Sequence, residues 1–124
     1  MRRKIELEYI FSSSVKVLYS RISTPAGLSE WFADDVFQKG EKFVFVWGRT
    51  EHPATLLEAK PNSRVRFAWD GADEEEYFGF DIHVDPLTED VALIITDFVD
   101  EDEESDSVEL WDKQMDVLHR NLGA

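Results

Sequence analysis

Three histidines, one serine–lysine pair and a run of carboxylates are the residues whose types could do chemistry in this chain, and their spacing decides what chemistry. His52, His83 and His119 could act as general bases or metal ligands, but no two of them stand at a ligand spacing such as i, i+4. His83 alternates with Phe80, Ile82 and Val84 so as to face outward, His52 sits beside Pro53 at a strand start, and His119 lies beside Leu118, off the apolar line of its helix. His83 reads as a surface histidine, and none of the three reads as catalytic. Ser13-Ser14-Val15-Lys16 has the form of the Ser-x-x-Lys acyl-transfer motif. Its companion motifs are missing, and the serines suit a helix cap. Asp100-Glu101-Asp102-Glu103-Glu104-Ser105-Asp106 invites a calcium loop, which needs glycine at its sixth place and glutamate at its twelfth. Counted from Asp100 those places hold Ser105 and Trp111, and from Asp102 they hold Ser107 and Lys113. The acids instead predict a solvated loop, with Ser105 or Ser107 capping the helix that follows and carboxylates near its positive end. No cofactor or metal motif is expected.

One constellation is left. Trp31, Phe32, Phe43, Phe45, Trp47, Val65, Phe67, Trp69, Phe78, Phe80 and Ile82 all point one way by phase. An enzyme site among them would need convergent polar groups, and the phase places almost none there. The aromatics therefore either fill the interior or line a cavity for an apolar small molecule. For the second case the candidate ligand-binding residues are Trp31, Phe43, Phe45, Trp47, Phe67, Trp69, Phe78, Phe80, Trp111 and Met115.

The elements that must carry these residues follow from periodicity. Lys4–Phe11 alternates, with Ile5, Leu7, Tyr9 and Phe11 on one face. Ser12-Ser13-Ser14 offers caps to a helix bearing Val15, Leu18, Tyr19 and Ile22. Thr24-Pro25 then starts a short second helix with Leu28, Trp31 and Phe32. From Asp35 the period becomes two: Val36–Phe37, Lys42–Trp47, Pro53–Ala59, Arg64–Trp69, Glu76–Val84 and Val91–Phe98 read as strands joined by short turns, an antiparallel meander. Val91–Phe98 is apolar on both faces and so central. A last helix is expected over Ser105–Leu122. Val108, Trp111, Met115, Leu118 and Leu122 form its apolar stripe, which Leu110 and Val117 widen. Such a face must lie against the concave side of the sheet.

Composition sets the outer bounds. A chain of 124 residues with 43% hydrophobic and 13% aromatic residues suits a single domain with a real core, spanning residues 1–124. It contains no run of ~20 apolar residues, so no membrane span is expected. The lack of cysteine fits a reducing compartment, and a cytoplasmic location is expected. The net charge is -14 and is uneven: residues 1–69 hold 11 Lys/Arg against 8 Asp/Glu, whereas residues 70–124 hold 2 against 19. This disfavours nucleic acid, which needs clustered lysine and arginine. The acidic half either solubilises the chain or steers a basic protein partner to one face.

The order of elements resembles START-like and birch-pollen-allergen-like domains, the helix-grip fold, an α+β class of about six or seven strands curved around a long C-terminal helix. Thr24-Pro25 followed by Leu28-Ser29-Glu30-Trp31-Phe32 is similar to the T-P-x-x-L-x-x-W-F signature of the heat-shock-protein ATPase activator-like branch. Lys39-Gly40-Glu41-Lys42-Phe43, Pro61–Trp69, and Asp97-Phe98 with Glu109-Leu110-Trp111 through Leu118 resemble its later motifs in order. Asp97 and Leu110 stand where that branch has glycine. The resemblance implies a noncatalytic domain that binds a hydrophobic small molecule between sheet and helix. Its alternatives are a cochaperone-like or regulatory protein-interaction module and a cyclase- or hydrolase-like enzyme. The family mixes all three, so fold alone does not choose.

Overall fold

Strand alternation at both ends of the chain builds the frame, because the first and last strands pair with each other. The computed structural model describes residues 1–123. β1 (Arg2–Phe11), β2 (Asp35–Lys39), β3 (Lys42–Trp47), β4 (Thr50–Lys60), β5 (Arg64–Trp69), β6 (Phe78–Val84) and β7 (Val91–Asp100) make one antiparallel curved sheet in the order β1-β7-β6-β5-β4-β3-β2. Ile5 faces Asp97, Leu7 faces Ile95 and Phe11 faces Val91 across β1 and β7. β4 carries Pro53 inside the strand, a place where proline would normally delete a ladder bond. The Pro53 carbonyl accepts the Asp70 N–H, so its nitrogen also faces the β5 side, beyond the first β4–β5 pair, Ala54 with Trp69. A register shift between Leu56 and Glu58 then bulges Leu57 into solvent.

Both short helices start where the sequence predicts. Ser14 Oγ accepts the Val17 N–H at 3.1 Å to open α1 (Val15–Ser23), and Thr24 Oγ1 accepts the Gly27 N–H at 3.0 Å to open α2 (Pro25–Leu28). Gly27 is required by close approach: a Cβ there would fall on the Ser20 carbonyl oxygen and 2.6 Å from Arg21 Cα. Gly27→Ala should therefore destabilise the fold by about 1–3 kcal/mol through overpacking, read as a lower urea midpoint with unchanged slope.

The final helix, α3 (Glu104–Leu122), begins earlier than expected. β7 runs to Asp100 and a 3-10 turn, Glu101–Glu103, leads directly into it, so Ser105 and Ser107 lie inside the helix and neither caps it. Among the described residues no side chain caps this end; Glu104 and Asp106 in its first turn complement the helix dipole instead. Trp111, Met115 and Leu118 are buried, and Val108 and Leu122 are half-buried. Leu110 and Val117 do not widen the buried stripe: they are 59% and 37% exposed. Their shared flank is left open because α3 is drawn to the other side. There the Tyr9 hydroxyl donates to Asp112 at 2.6 Å, and the His119 ring stacks on Phe11 at 3.9 Å with Nε2 2.8 Å from the Ile10 carbonyl oxygen. His119 is thus a packing residue, not a free surface one. His83 is exposed, as its phase requires, while Val84 at the end of β6 is exposed against its phase.

Between sheet and helices the interior is closely packed. Phe43, Phe45, Phe67, Leu18, Ile22, Leu28, Leu93 and Ile95 have no accessible surface. Edge-to-face contacts such as Phe43–Phe67 at 4.9 Å and Phe45–Phe67 at 5.6 Å supply the geometry aromatic rings prefer. Among the described residues no helix is long and apolar enough to cross a membrane.

Candidate functional site

The open flank of α3 leaves a gap at one end of the cup, and aromatic side chains from β3, β5, β6, α3 and the segment after α2 surround it. A cleft of about 160 Å³ is lined by Phe32, Trp47, Trp69, Phe78, Leu110 and Trp111, with Asp97, Ser107 and Gln114 as its polar members. A second, more polar cleft of about 270 Å³ adjoins it, lined among others by Arg2, Glu76, Tyr77, Asp97, Glu103 and Ser107. Trp69, Asp97 and Ser107 line both and so mark the junction. Together the two spaces fall within the lower range of a small-molecule site, ~300 Å³ or more.

Phe32 is the hub of the apolar part. It follows α2 in the Trp31-Phe32-Ala33 segment and is only 5% exposed. Its ring stacks on Trp111 at 5.7 Å and meets Trp47 edge-on at 5.3 Å. Its carbonyl oxygen accepts both the Trp47 Nε1–H at 3.0 Å and the Gln114 Nε2–H at 3.2 Å. One residue thereby fixes the β3 wall and the α3 wall relative to each other. Trp69 stacks on Phe78 at 4.6 Å, which sets the floor. The far wall is the β5–β6 loop, held by Arg2: its guanidinium donates to Glu76 at 2.7 Å and to the Phe98 carbonyl at 3.0 Å.

Asp97 is the polar group that the sequence reading did not place in the cup. Its Oδ2 accepts the Trp111 Nε1–H at 3.0 Å and its Oδ1 accepts its neighbour Phe98 N–H at 2.8 Å. Burial raises its pKa above the ordinary carboxylate value, against the lowering effect of the Trp111 and Phe98 N–H groups and of Arg2. The carboxyl can therefore receive a ligand's hydrogen bond or charge in a mostly apolar setting, where such a contact is stronger than in water. The same shift has a stability consequence. The folded chain binds this proton more tightly than the unfolded chain, so stability falls as pH rises from the ordinary carboxylate range through the raised Asp97 value. Asparagine meets only one of the two N–H donors, which adds a pH-independent offset. The advantage of Asp97→Asn over the parent should then grow with pH across that window and level off above it. Urea unfolding at a series of pH values checks this, and an advantage that shrinks with pH would contradict it.

Of the residues expected to bind a ligand, the structure brings Trp47, Trp69, Phe78 and Trp111 to the cleft. Phe43, Phe45, Phe67, Phe80 and Met115 are closed into the packed interior and line neither space. Trp31 is buried, donates its Nε1–H to the Arg21 carbonyl at 2.7 Å, and borders a more open hollow with Val117 that shares Phe32 and Trp47 with the cleft. Phe32, one of the inward aromatics though not a candidate ligand residue, joins the site, and Ser107, Gln114 and Asp97 join it without having been expected there. A signal for Asp97 existed: it shares phase with Val91, Leu93 and Ile95 on the inner face. Among the described residues no group of three or more His, Asp or Glu is placed to hold a metal ion.

Comparison with known proteins agrees on the architecture. A family model described as the START-like superfamily domain matches residues 1–124. A Bacteroides fragilis protein solved in solution by NMR is 39% identical, with 97% of this chain and 90% of that one covered and a TM-score of 0.69. The Aha1 dimer from Colwellia psychrerythraea is similar in fold at 16% identity, covering 97% and 96% of the two chains with a TM-score of 0.80. CalU16 from Micromonospora echinospora, 15% identical, covers 96% and 75% with a TM-score of 0.74. No curated protein matches the chain significantly.

Proposed function

The chain belongs to the START-like superfamily, and from that premise we propose that it binds a hydrophobic small molecule between the sheet and the C-terminal helix, in the cleft at the open flank of α3. The observation that supports this most is the Phe32, Trp47, Trp69, Phe78 and Trp111 lining around a space that side chains leave unfilled, beside an interior that is otherwise packed. Leu110, 59% exposed at the rim, gives the entrance an apolar lip. Binding energy would come from aromatic surface removed from water, at about 25 cal/mol per Å², and orientation from Asp97, Ser107 and Gln114.

Titration with a neutral naphthalene-based probe tests this reading. Tryptophans 47, 69 and 111 are the reporters, because all three line the cleft. Their emission should change to saturation at one probe per chain. A linear, non-saturating response would mean that the probe meets only general surface.

A further inference from the structure

The cleft's polar chemistry is one-sided, and that narrows the class of molecule it suits; the argument rests on the small-molecule reading above. Every ionisable group bordering the junction is acidic except one. Asp97 stands there with two N–H donors, Trp111 from α3 and Phe98 from its own strand, and Glu76 and Glu103 border the polar wing. Among the described residues the cation lining the clefts is Arg2. It is already committed to Glu76 at 2.7 Å, to Asp100 at 3.7 Å and to the Phe98 carbonyl, so it is poorly placed to receive an anion. The cleft around the junction is walled by indole and phenyl rings, and a cation over the face of such a ring is attracted by its quadrupole, tryptophan most strongly. The half-buried carboxyl beside Trp69 and Trp111 feels Arg2 only at a distance, and among the described residues no salt bridge reaches it.

We propose that the cleft selects an organic cation: a molecule whose apolar body lies among Phe32, Trp47 and Trp111 and whose protonated amine or quaternary ammonium sits at the junction, against Trp69 and Asp97. An ammonium there would give Asp97 the close positive partner it lacks and would use the ring faces better than a neutral head group does. Its arrival favours the ionised carboxyl, so binding of a permanently charged ammonium strengthens as pH rises through the Asp97 titration. Arg2 opposes this moderately, while Glu76, Glu103 and Asp100 reinforce it.

Three probes of one shape test the idea: a naphthylmethyl trimethylammonium, its neutral isostere with carbon in place of nitrogen, and a naphthalene sulfonate of similar size. At physiological salt the cation should bind at least about tenfold more tightly than the neutral isostere, and the sulfonate more weakly than both. Because the site is partly buried, this ratio should survive high salt, unlike a general attraction to the acidic surface. Asp97→Asn, checked for folding by its indole N–H spectrum, should bring the cation-to-neutral ratio to within about threefold. Glu89→Gln, which removes one charge in the distant β6–β7 turn, should leave the ratio as it was. In the parent chain the ratio should also rise with pH from the ordinary carboxylate range upward, a result that does not depend on any variant. A neutral or sulfonate probe binding as tightly as the cation, or a ratio unaffected by Asp97→Asn, would overturn the assignment while leaving small-molecule binding intact. Failure of all three probes to bind would overturn both.

Discussion

Replacing Trp111 with alanine should cost about 3–5 kcal/mol of folding stability, the range for deleting a large buried ring, against a total of ~5–15 kcal/mol for a domain of this size. Trp111 is 6% exposed, stacks on Phe32 and meets Phe80 edge-on at 6.0 Å. Its loss removes the ring that joins α3 to the aromatic interior, and it also removes one of the two N–H donors to the half-buried Asp97 carboxyl. An acceptor left without its donor adds to the cavity cost. His83→Ala, at an exposed position on the outer face, should change stability by well under 1 kcal/mol. Urea unfolding of both variants decides the matter. Similar losses from the two would mean that α3 does not dock through Trp111, and the fold account would fail with it.

Filling the cleft should have the largest effect on binding. Ser107 borders both spaces from α3, and its small side chain is what leaves the junction open. Ser107→Trp places an indole across that junction and should lower the affinity of a neutral apolar probe at least about tenfold, ~1.4 kcal/mol. Stability should move by less than about 1 kcal/mol, since Ser107 is only half-buried and makes no side-chain hydrogen bond on which the core depends. Leu87→Trp, in the β6–β7 turn where Leu87 is 92% exposed, adds the same ring at a distance and should leave affinity unchanged. Equal losses from the two substitutions would show that the probe responds to added surface tryptophan and not to the cleft.

Much of the frame is legible in the sequence because it rests on periodicity and local caps. Ser14 and Thr24 announce their helices by residue type, and the two-residue alternation from Phe43 to Ile82 gives each strand its inner face. The site is less legible because it depends on how α3 tilts. The apolar stripe of Trp111, Met115 and Leu118 shows that the helix docks. It does not show that Tyr9 with Asp112 and Phe11 with His119 draw it toward β1, exposing Leu110 and Val117 and opening the gap on the opposite flank. Asp97 was hidden for another reason. It lies at the end of a strand apolar on both faces, and a single acid near the strand end reads as the start of the acidic loop. Its phase puts it inside, and only the docked Trp111 gives that position its meaning. The serines at 105 and 107 mislead in the opposite sense: they look like caps, but the 3-10 turn at Glu101–Glu103 starts the helix before them.

The indole N–H resonances offer the most direct test, since the four tryptophans divide cleanly by position. Trp47, Trp69 and Trp111 line the cleft, whereas the Trp31 indole is buried outside its lining, bonded to the Arg21 carbonyl. In a nitrogen–proton correlation spectrum, saturation with an apolar ligand should shift the three cleft indoles together and leave Trp31 in place. The Trp111 signal should move most, because its donor bond to Asp97 lies at the junction. A ligand that binds at one equivalent yet shifts Trp31 while leaving Trp69 and Trp111 unmoved would contradict a binding site at the open flank of α3.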